Sequence, residues 1–440
     1  MLTSLRPLRS RNFALVWASA MVSNIGSWMQ TVALGVVVTH RSHDPLWTGA
    51  VAAAAFAPIG LLSPVGGAFA DRFDRRRWLI ATTVAEAVFA AVLAILAGTG
   101  HAPSWALVVV AFLGGSAAAV GFPTYQAMLP DLVPPADLVG AVSLSSAQFN
   151  LGRVIGPALA GVVLVAGSAA WAFAVNAVSF GAVVVALVFV RLPPRPRPGR
   201  RADPILRRIA VGARAARAEP GCRSAIILIG VVALIGSPFI ALVPAVAIDG
   251  FTRGTSGTAV LVTAQGVGAV CGALVLAPLA AAFGRRMVVG ALVAFPAALA
   301  GYGLAPSFWV AAVAITVVGG CYIGVLTGLN TVVQRRAPAA VRGRVLGLYM
   351  MALGLIYALG AVAEGAVAHV AGIRPVTAAA GGVLLAIMVA LVLSRSRLLT
   401  SLDYGVTAAA GGSAPPGASP SADPAVSGAP VAAEPAPGPR

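Results

Sequence analysis

Apolar residues run along this chain in blocks of about twenty, broken by short polar, glycine- or arginine-bearing segments. A bilayer core about 30 Å thick is crossed by roughly 20 apolar residues in α-helix. Runs of that length predict twelve helical spans, over 13–39, 47–70, 78–98, 104–128, 140–166, 169–190, 224–248, 256–282, 287–305, 307–333, 343–370 and 372–394. The breaks at Gly167 and Gly372 are tight, each separating one span from the next by little more than a turn. The first run lacks the small-residue cleavage pattern of a signal peptide and reads as a retained span.

Composition sharpens this picture. The chain has 440 residues, 59% of them hydrophobic and only 10% charged, with a mean hydropathy of +0.92. A soluble domain carries about 25% charged residues to cover its water-facing surface. The expected fold class is therefore an all-α integral membrane protein. All 30 basic residues are arginine. Without lysine there is no Walker-A lysine for nucleotide phosphates and no Schiff-base lysine, so any transport draws on a gradient or on another subunit. The net charge of +17 would suggest nucleic acid in a soluble protein, but the hydrophobicity overrides that reading. Cys222, Cys271 and Cys321 lie far apart, and the four histidines form no metal-binding or nucleophilic motif. The expectation is no enzyme, no cofactor and no metal.

Arginine placement orients the spans. With the amino terminus in the cytoplasm, that side receives Arg6, Arg9 and Arg11, then Arg72, Arg75, Arg76 and Arg77. It also takes ten arginines between Arg191 and Arg223, then Arg285, Arg286, Arg335, Arg336, Arg342, Arg344, Arg395, Arg397 and Arg440. The outer side receives Arg41, Arg253 and Arg374. The bias follows the positive-inside rule with both termini cytoplasmic. The richness in alanine, glycine, valine and arginine without lysine suggests a GC-rich coding genome, hence a multi-pass protein of a bacterial inner (plasma) membrane.

The expected organisation is a cytoplasmic amino terminus (1–12), a six-helix bundle (13–190), a basic cytoplasmic linker (191–223), a second six-helix bundle (224–394) and a disordered cytoplasmic tail (395–440). The linker opens with prolines and arginines that cannot be helical, then carries Ile205, Ile209 and Val211 among arginines. That stretch suits either the anionic leaflet surface or a solvated connection. Beyond Leu402 large side chains almost disappear. The two bundles read as pseudo-symmetric repeats. Residues 67–77 match 277–287, with Phe73 facing Phe283 and Arg75–Arg76 facing Arg285–Arg286, and Gly114–Gly115 matches Gly319–Gly320. Six spans per repeat imply parallel halves related by an axis along the membrane normal.

Twelve spans as six plus six, a long central loop and the segment between spans 2 and 3 resemble the major facilitator superfamily. Its loop motif, G-x-x-x-D-R-x-G-R-R, is matched by Gly67, Asp71, Arg72, Arg75 and Arg76, with Asp74 where glycine is usual. The resemblance implies that these residues form a cytoplasmic gate stabilising one access state. In span 5, Gly152, Gly156, Pro157 and Gly161 resemble the superfamily's exporter motif G-x-x-x-G-P-x-x-G-G, with Ala160 replacing one glycine. The glycines form a face for close helix approach and the proline bends the helix; in family terms the motif is linked with antiport. Residues 5–38, and the stretch from span 5 to span 11, are similar to the macrolide- and siderophore-exporter branch, which includes enterobactin-type exporters and transmembrane secretion effectors. The superfamily's usual arginine in span 4 has no counterpart, since no charged residue lies between Leu107 and Met128.

Charges inside the membrane are costly and so become candidates for function. Arg153 falls near the middle of span 5, on one face with Ser146 and Asn150; Glu86 lies one turn from Thr82 and Thr83; Glu364 lies toward the outer end of span 11, near the stripe of Tyr349, Tyr357 and Gly360. Either glutamate is a candidate proton carrier, and Arg153 needs a carboxylate or several carbonyls as partner. Structural roles stand beside these: carbonyl bonding for Arg153, snorkelling to the headgroups for Glu364, and a polar helix contact for Glu86. Asn24, Ser27, Trp28 and Thr31 form one stripe of span 1 and are the candidate substrate cavity. Tyr125, Gln148, Asn176, Gln265, Tyr322 and Asn330 suit either a cavity or interhelical hydrogen bonds.

These features predict a secondary active transporter, proton-driven and exporting a hydrophobic small molecule of antibiotic or siderophore type by alternating access. Its expected partners are a small-molecule substrate, a proton or other coupling ion and the lipid bilayer, with no nucleic acid, in a chain that works as a monomer. A nutrient uptake symporter is the alternative within the same class. A non-transporting membrane scaffold or sensor is the alternative from another.

Overall fold

The computed structural model describes residues 5–100, 102–190, 192, 205–338 and 341–403; within its helices the side chains of Asp71 and Asn150, among a few others, fall outside the described ones. Twelve helices are long and apolar enough to cross a membrane. They are α1 (Arg11–Ser42), α2 (Pro45–Arg72), α3 (Arg75–Gly98), α4 (Ser104–Leu132), α5 (Leu138–Ala166), α6 (Ala169–Phe189), α7 (Pro220–Gly250), α8 (Gly254–Phe283), α9 (Arg285–Gly303), α10 (Phe308–Arg336), α11 (Arg342–Ala371) and α12 (Ile373–Leu393). No strand occurs among the described residues. An even number of spans puts the start of α1 and the end of α12 on one face, the terminal face; the opposite one is called the far face.

Helix pairings inside the first six spans recur in the second six. The pairs α1–α5, α1–α6, α2–α4, α3–α4 and α3–α6 have their images in α7–α11, α7–α12, α8–α10, α9–α10 and α9–α12. The matched pairs Gly114–Gly115 and Gly319–Gly320 both sit at a close helix crossing, but the tight contact falls on the second glycine of the first pair and the first of the second, one residue out of the sequence register. A Cβ on Gly115 would lie 2.4 Å from the Ala55 carbonyl oxygen of α2, and one on Gly319 would lie 2.2 Å from the Gln265 carbonyl oxygen of α8. In lipid no hydrophobic force drives helices together, so backbones that approach this closely gain their stability from dispersion and polar contact. The two halves meet along α2–α11 and α5–α8, pairs that are again images of each other.

Apolar side chains face outward along every span; Val178, Phe189, Val313 and Val370 are among the most exposed. Trp47, Trp105, Trp171 and Trp309 all sit in the first turn of their helices at the far face, a band of amphipathic rings suited to a headgroup boundary. Trp28 stands apart, midway along α1.

Three features depart from the expected pattern. First, α7 is not a uniform helix. Its α-helical turns, Pro220–Val231 and Phe239–Ala245, alternate with π-helical turns at Val232–Gly236 and Val246–Gly250. Pro238 and Pro244 lack the N–H that a regular ladder needs. The Ser237 N–H instead reaches back to the Val232 carbonyl at 2.8 Å. Hydropathy sees only an unbroken apolar run here. Second, the linker region contains a helix, Ile205–Ala218, whose Gly212 lies against the start of α11 at Arg344; α7 then begins at Pro220, earlier than the expected 224. Residue 191 and residues 193–204 lie outside the described residues. Third, residues 395–403, expected as the start of the tail, pack back on the bundle. A short helix, Arg397–Thr400, buries Leu399, Leu402 is also buried, and the Ser401 hydroxyl donates to Ser224 Oγ at 2.7 Å. Residues 404–440 lie outside the described residues.

Glu219 fastens the start of α7. Its carboxylate accepts from the Cys222 N–H at 2.6 Å and pairs with Arg336, at the end of α10, at 2.7 Å. Burial alone would push this carboxyl up, but the backbone N–H groups of Cys222 and Gly221 and the Arg336 guanidinium hold it below the usual glutamate range.

Two stability predictions follow from these contacts. Gly115→Ala presses a methyl into the α2 backbone and should cost about 1–3 kcal/mol. Gly114→Ala, whose new Cβ would meet Phe89 at an ordinary 3.6 Å, should be neutral; thermal unfolding of the purified protein in detergent separates the two. Glu219→Ala removes a helix cap and should cost about 1–2 kcal/mol at pH 7. Because the folded carboxyl is held low, its contribution is present above the ordinary glutamate pKa of about 4.3 and is lost as pH falls further. The difference in melting temperature between the two proteins should therefore narrow below that pH.

Candidate functional site

Midway through the bundle lies a cavity of about 250 Å³, lined by residues of α1 to α8 and of α11. Its walls are mostly aliphatic and aromatic, with Arg153 and Glu86 as the charged members. Ser27, Trp28 and Thr31 of the α1 stripe line it, while Asn24 does not. One turn closer to the terminal face, Asn24 is taken by α5: its Nδ2 donates to the Gln148 carbonyl at 3.4 Å, and Gly152 lies against its side chain. Thr31 donates to the Ser27 carbonyl at 2.9 Å, a bond within α1.

The α5 glycines explain how the cavity wall is built. A Cβ on Gly156 would lie 2.6 Å from both the Ile25 carbonyl oxygen and Trp28 Cβ, so α5 lies directly on α1 beside Trp28. Pro157 faces the cavity. Nearer the far face, Gly161 meets Ala259 of α8, where the two halves touch. The motif therefore sets three approaches at once: to α1, to the cavity and to the other half.

Arg153 projects from the middle of α5 between two aromatic rings that belong to different halves. Its guanidinium carbon lies 5.4 Å from the Trp28 ring centre and 5.8 Å from that of Tyr322 in α10. The Tyr322 hydroxyl is committed elsewhere, donating to Ser237 Oγ at 3.1 Å in the irregular part of α7. Trp28 continues into a chain of rings, edge-on to Phe149 at 6.0 Å and tilted to Phe56 at 6.5 Å, and Phe56 meets Tyr357 of α11 at 5.4 Å. Sequence reasoning singled out Arg153 and Trp28 separately. The role of the Ser237 bulge in holding Tyr322 had no signal beyond Gly236 and the two prolines.

The other candidates are distributed unevenly. Glu86 lines the cavity from α3, and its carboxylate lies close to Gly121 of α4. Glu364 lies outside that lining, beside Gly365, where α11 crosses the start of α2 at Pro45; its Oε1 is buried without a hydrogen-bond partner among the described residues. Asn176 forms an interhelical bond, donating to Gln30 Oε1 at 2.9 Å. Tyr125 bonds Gln148 Oε1 and Ser145 within the first half. Gln265 lines the cavity.

At the terminal face, Arg75 and Arg76 of the motif each bond other helices of their own half. Asp74 keeps an extended backbone (φ −61°) and caps α3 by accepting from the Arg77 N–H at 2.8 Å. Its counterpart in the second half, Gly284, adopts φ +49°, so the aspartate replaces a left-handed turn with a helix cap. Arg75 donates to the Ala127 carbonyl at 2.6 Å and pairs with Asp131 at 3.3 Å, both in α4. Arg76 donates to the Leu187 carbonyl at the end of α6 at 2.6 Å. Arg72 lies over the Phe73 ring at 5.9 Å. Gly67 faces open space, and the side chain of Asp71 lies outside the described ones.

The far face is closed across the seam. Gly49 and Gly365 bring α2 and α11 into backbone contact. Two histidine–aspartate pairs of opposite sense bridge the halves there, His43 to Asp249 at 3.4 Å and His369 to Asp44 at 3.0 Å. Asp44 also caps α2 through the Leu46 N–H at 2.8 Å.

Comparison with known proteins bears on this arrangement. The family model described as transmembrane secretion effector matches residues 2–409. The staphyloferrin A transporter of Staphylococcus aureus (strain NCTC 8325 / PS 47) is 33% identical over 165 residues, which are 37% of this chain and 42% of that protein, so the match spans less than half of that relative. The enterobactin exporter EntS of Escherichia coli O1:K1 / APEC is 27% identical over 349 residues, covering 77% of this chain and 80% of the exporter. Among solved structures, a bacterial homologue of the human lysosomal transporter Spinster in an inward-facing, unoccupied conformation superposes with a TM-score of 0.73 at 16% identity, over 90% of this chain and 98% of that one. At that identity the likeness is one of fold.

Proposed function

We propose, from the premise that this chain belongs to the transmembrane secretion effector family of the major facilitator superfamily, that it is a proton-driven exporter of bulky, largely apolar small molecules. That it is a multi-pass membrane transporter and not an enzyme follows from the family. Direction, coupling ion and substrate class are our reading. The observation that carries it is the mid-depth cavity on the seam, with Arg153 held between a ring of each half. A site shared by two halves changes its access when they rock against each other. The exporter relative supports outward movement, and the likeness of the α5 glycine–proline segment to the antiport-linked motif supports exchange for a proton.

In this reading both termini are cytoplasmic, following the arginine bias, and the protein lies in a bacterial inner membrane as a working monomer. The far face is then periplasmic, and the contacts at Gly49, Gly365 and the two histidine–aspartate pairs close it. Gly67, Asp71, Arg72, Arg75 and Arg76 act at the cytoplasmic face as the gate that forms when the cavity turns outward. We assign proton coupling to Glu86, because it lines the cavity and Glu364 does not.

Flux measured in proteoliposomes under an imposed proton gradient tests each element. Energised vesicles should expel lipophilic compounds rather than accumulate them; accumulation would identify uptake instead. Asp71→Asn should lower turnover by about tenfold or more with expression intact, the scale of losing one charge-assisted contact, and unchanged turnover removes the gate role. Glu86→Gln should flatten the pH dependence of export while Glu364→Gln keeps it. The opposite pattern transfers coupling to Glu364.

A further inference from the structure

Arg153 carries five N–H donors in a planar fork and cannot shed its charge. Among the described residues it has no acidic partner: its recorded contacts are the faces of Trp28 and Tyr322. Ring faces attract the charge but accept none of the N–H groups well. Glu86, the other charged residue on the cavity wall, forms no ion pair with it. The Tyr322 hydroxyl already donates to Ser237. Arg153 is partly exposed and lines the cavity, so its unused donors lie at the space in which cargo would sit.

Resting on the transport reading above, we infer that the substrate bears a planar oxyanion, a carboxylate or a group of the same shape and charge, which Arg153 grips with two parallel N–H donors while Trp28 and its neighbouring rings hold the aromatic or apolar body. The chemistry follows from the fork, which matches two oxygens in one plane, and from its surroundings. Phe149 and Phe56 flank Trp28, and Tyr357 continues the ring surface from the second half. Arg153 is thus a specificity residue for anionic against neutral cargo. Its position also ties binding to the seam. An oxyanion drawing the guanidinium off one ring loosens a charged contact between the halves, so cargo and closure at the cavity compete for the same cation.

The test is binding by the full chain in nanodiscs, read as thermal stabilisation, with matched pairs that differ only in charge: benzoate and benzamide, 2-naphthoate and 2-naphthamide, indole-3-acetate and its amide. The wild type should respond to at least one acid at a concentration tenfold or more below its amide. R153Q should erase that preference. R153K, which keeps the charge and loses the fork, should retain the sign of the preference at reduced size; it serves as the reporter if R153Q does not fold. Equal response to acid and amide in every pair, no response to any acid, or an undiminished preference in R153Q overturns the inference. Because no flux is measured, these outcomes stand apart from the exporter reading, which fails instead if vesicles move no compound outward.

Discussion

A Cβ at Gly49 would lie 2.1 Å from the Ala361 carbonyl oxygen, and one at Gly365 would lie 2.6 Å from that of Pro45, so α2 and α11 touch backbone to backbone at the far face. In a bilayer this contact is the main means of holding two six-helix halves together, because lipid tails solvate apolar side chains as well as another helix does. The α5–α8 crossing at Gly161 and Ala259 repeats it on the other side of the seam. The α2–α11 contact continues past the middle of both helices, where a Cβ on Gly60 would lie 3.1 Å from the Leu355 N and 3.2 Å from the Met351 carbonyl oxygen.

Within each half the same device works at α2–α4 and α8–α10, at Gly66 and Gly115 in the first half and at Gly268 and Gly319 in the second. The terminal-face arginines strengthen that division. Arg75 and Arg76 spend their donors on α4 and α6 of their own half, and Arg336 spends its own on Glu219 at the start of α7.

At the cavity, glycine spacing on α5 and irregularity in α7 act together. Gly156 lets Trp28 approach Arg153, and the turn around Ser237 fixes the Tyr322 hydroxyl so that its ring faces the same guanidinium. An arginine in a membrane needs its charge compensated. Here two rings from two halves provide part of that compensation, and Arg153 also lines the cavity.

Periodicity and composition alone determined the class of this protein: twelve apolar runs, no lysine, and arginines gathered between alternate spans specify an all-helical membrane chain, since the bilayer demands that length and that internal hydrogen bonding. The repeat was legible too, because each half carries a glycine pair, Gly114–Gly115 and Gly319–Gly320, at the same close crossing, although the glycine that makes the contact is shifted by one between them. Arg153, Glu86 and the Ser27–Trp28–Thr31 stripe stood out for a related reason, as polar groups where solvent is apolar. Asn24 on the same stripe went to a helix contact instead, which depends on where α5 lies and not on helical period. Only the tertiary structure decided which glutamate faces the cavity, that Tyr322 shares the arginine with Trp28, and that α7 is interrupted by π turns. Those outcomes depend on side chains brought together from helices far apart in the chain, and hydropathy carries no information about which faces will meet.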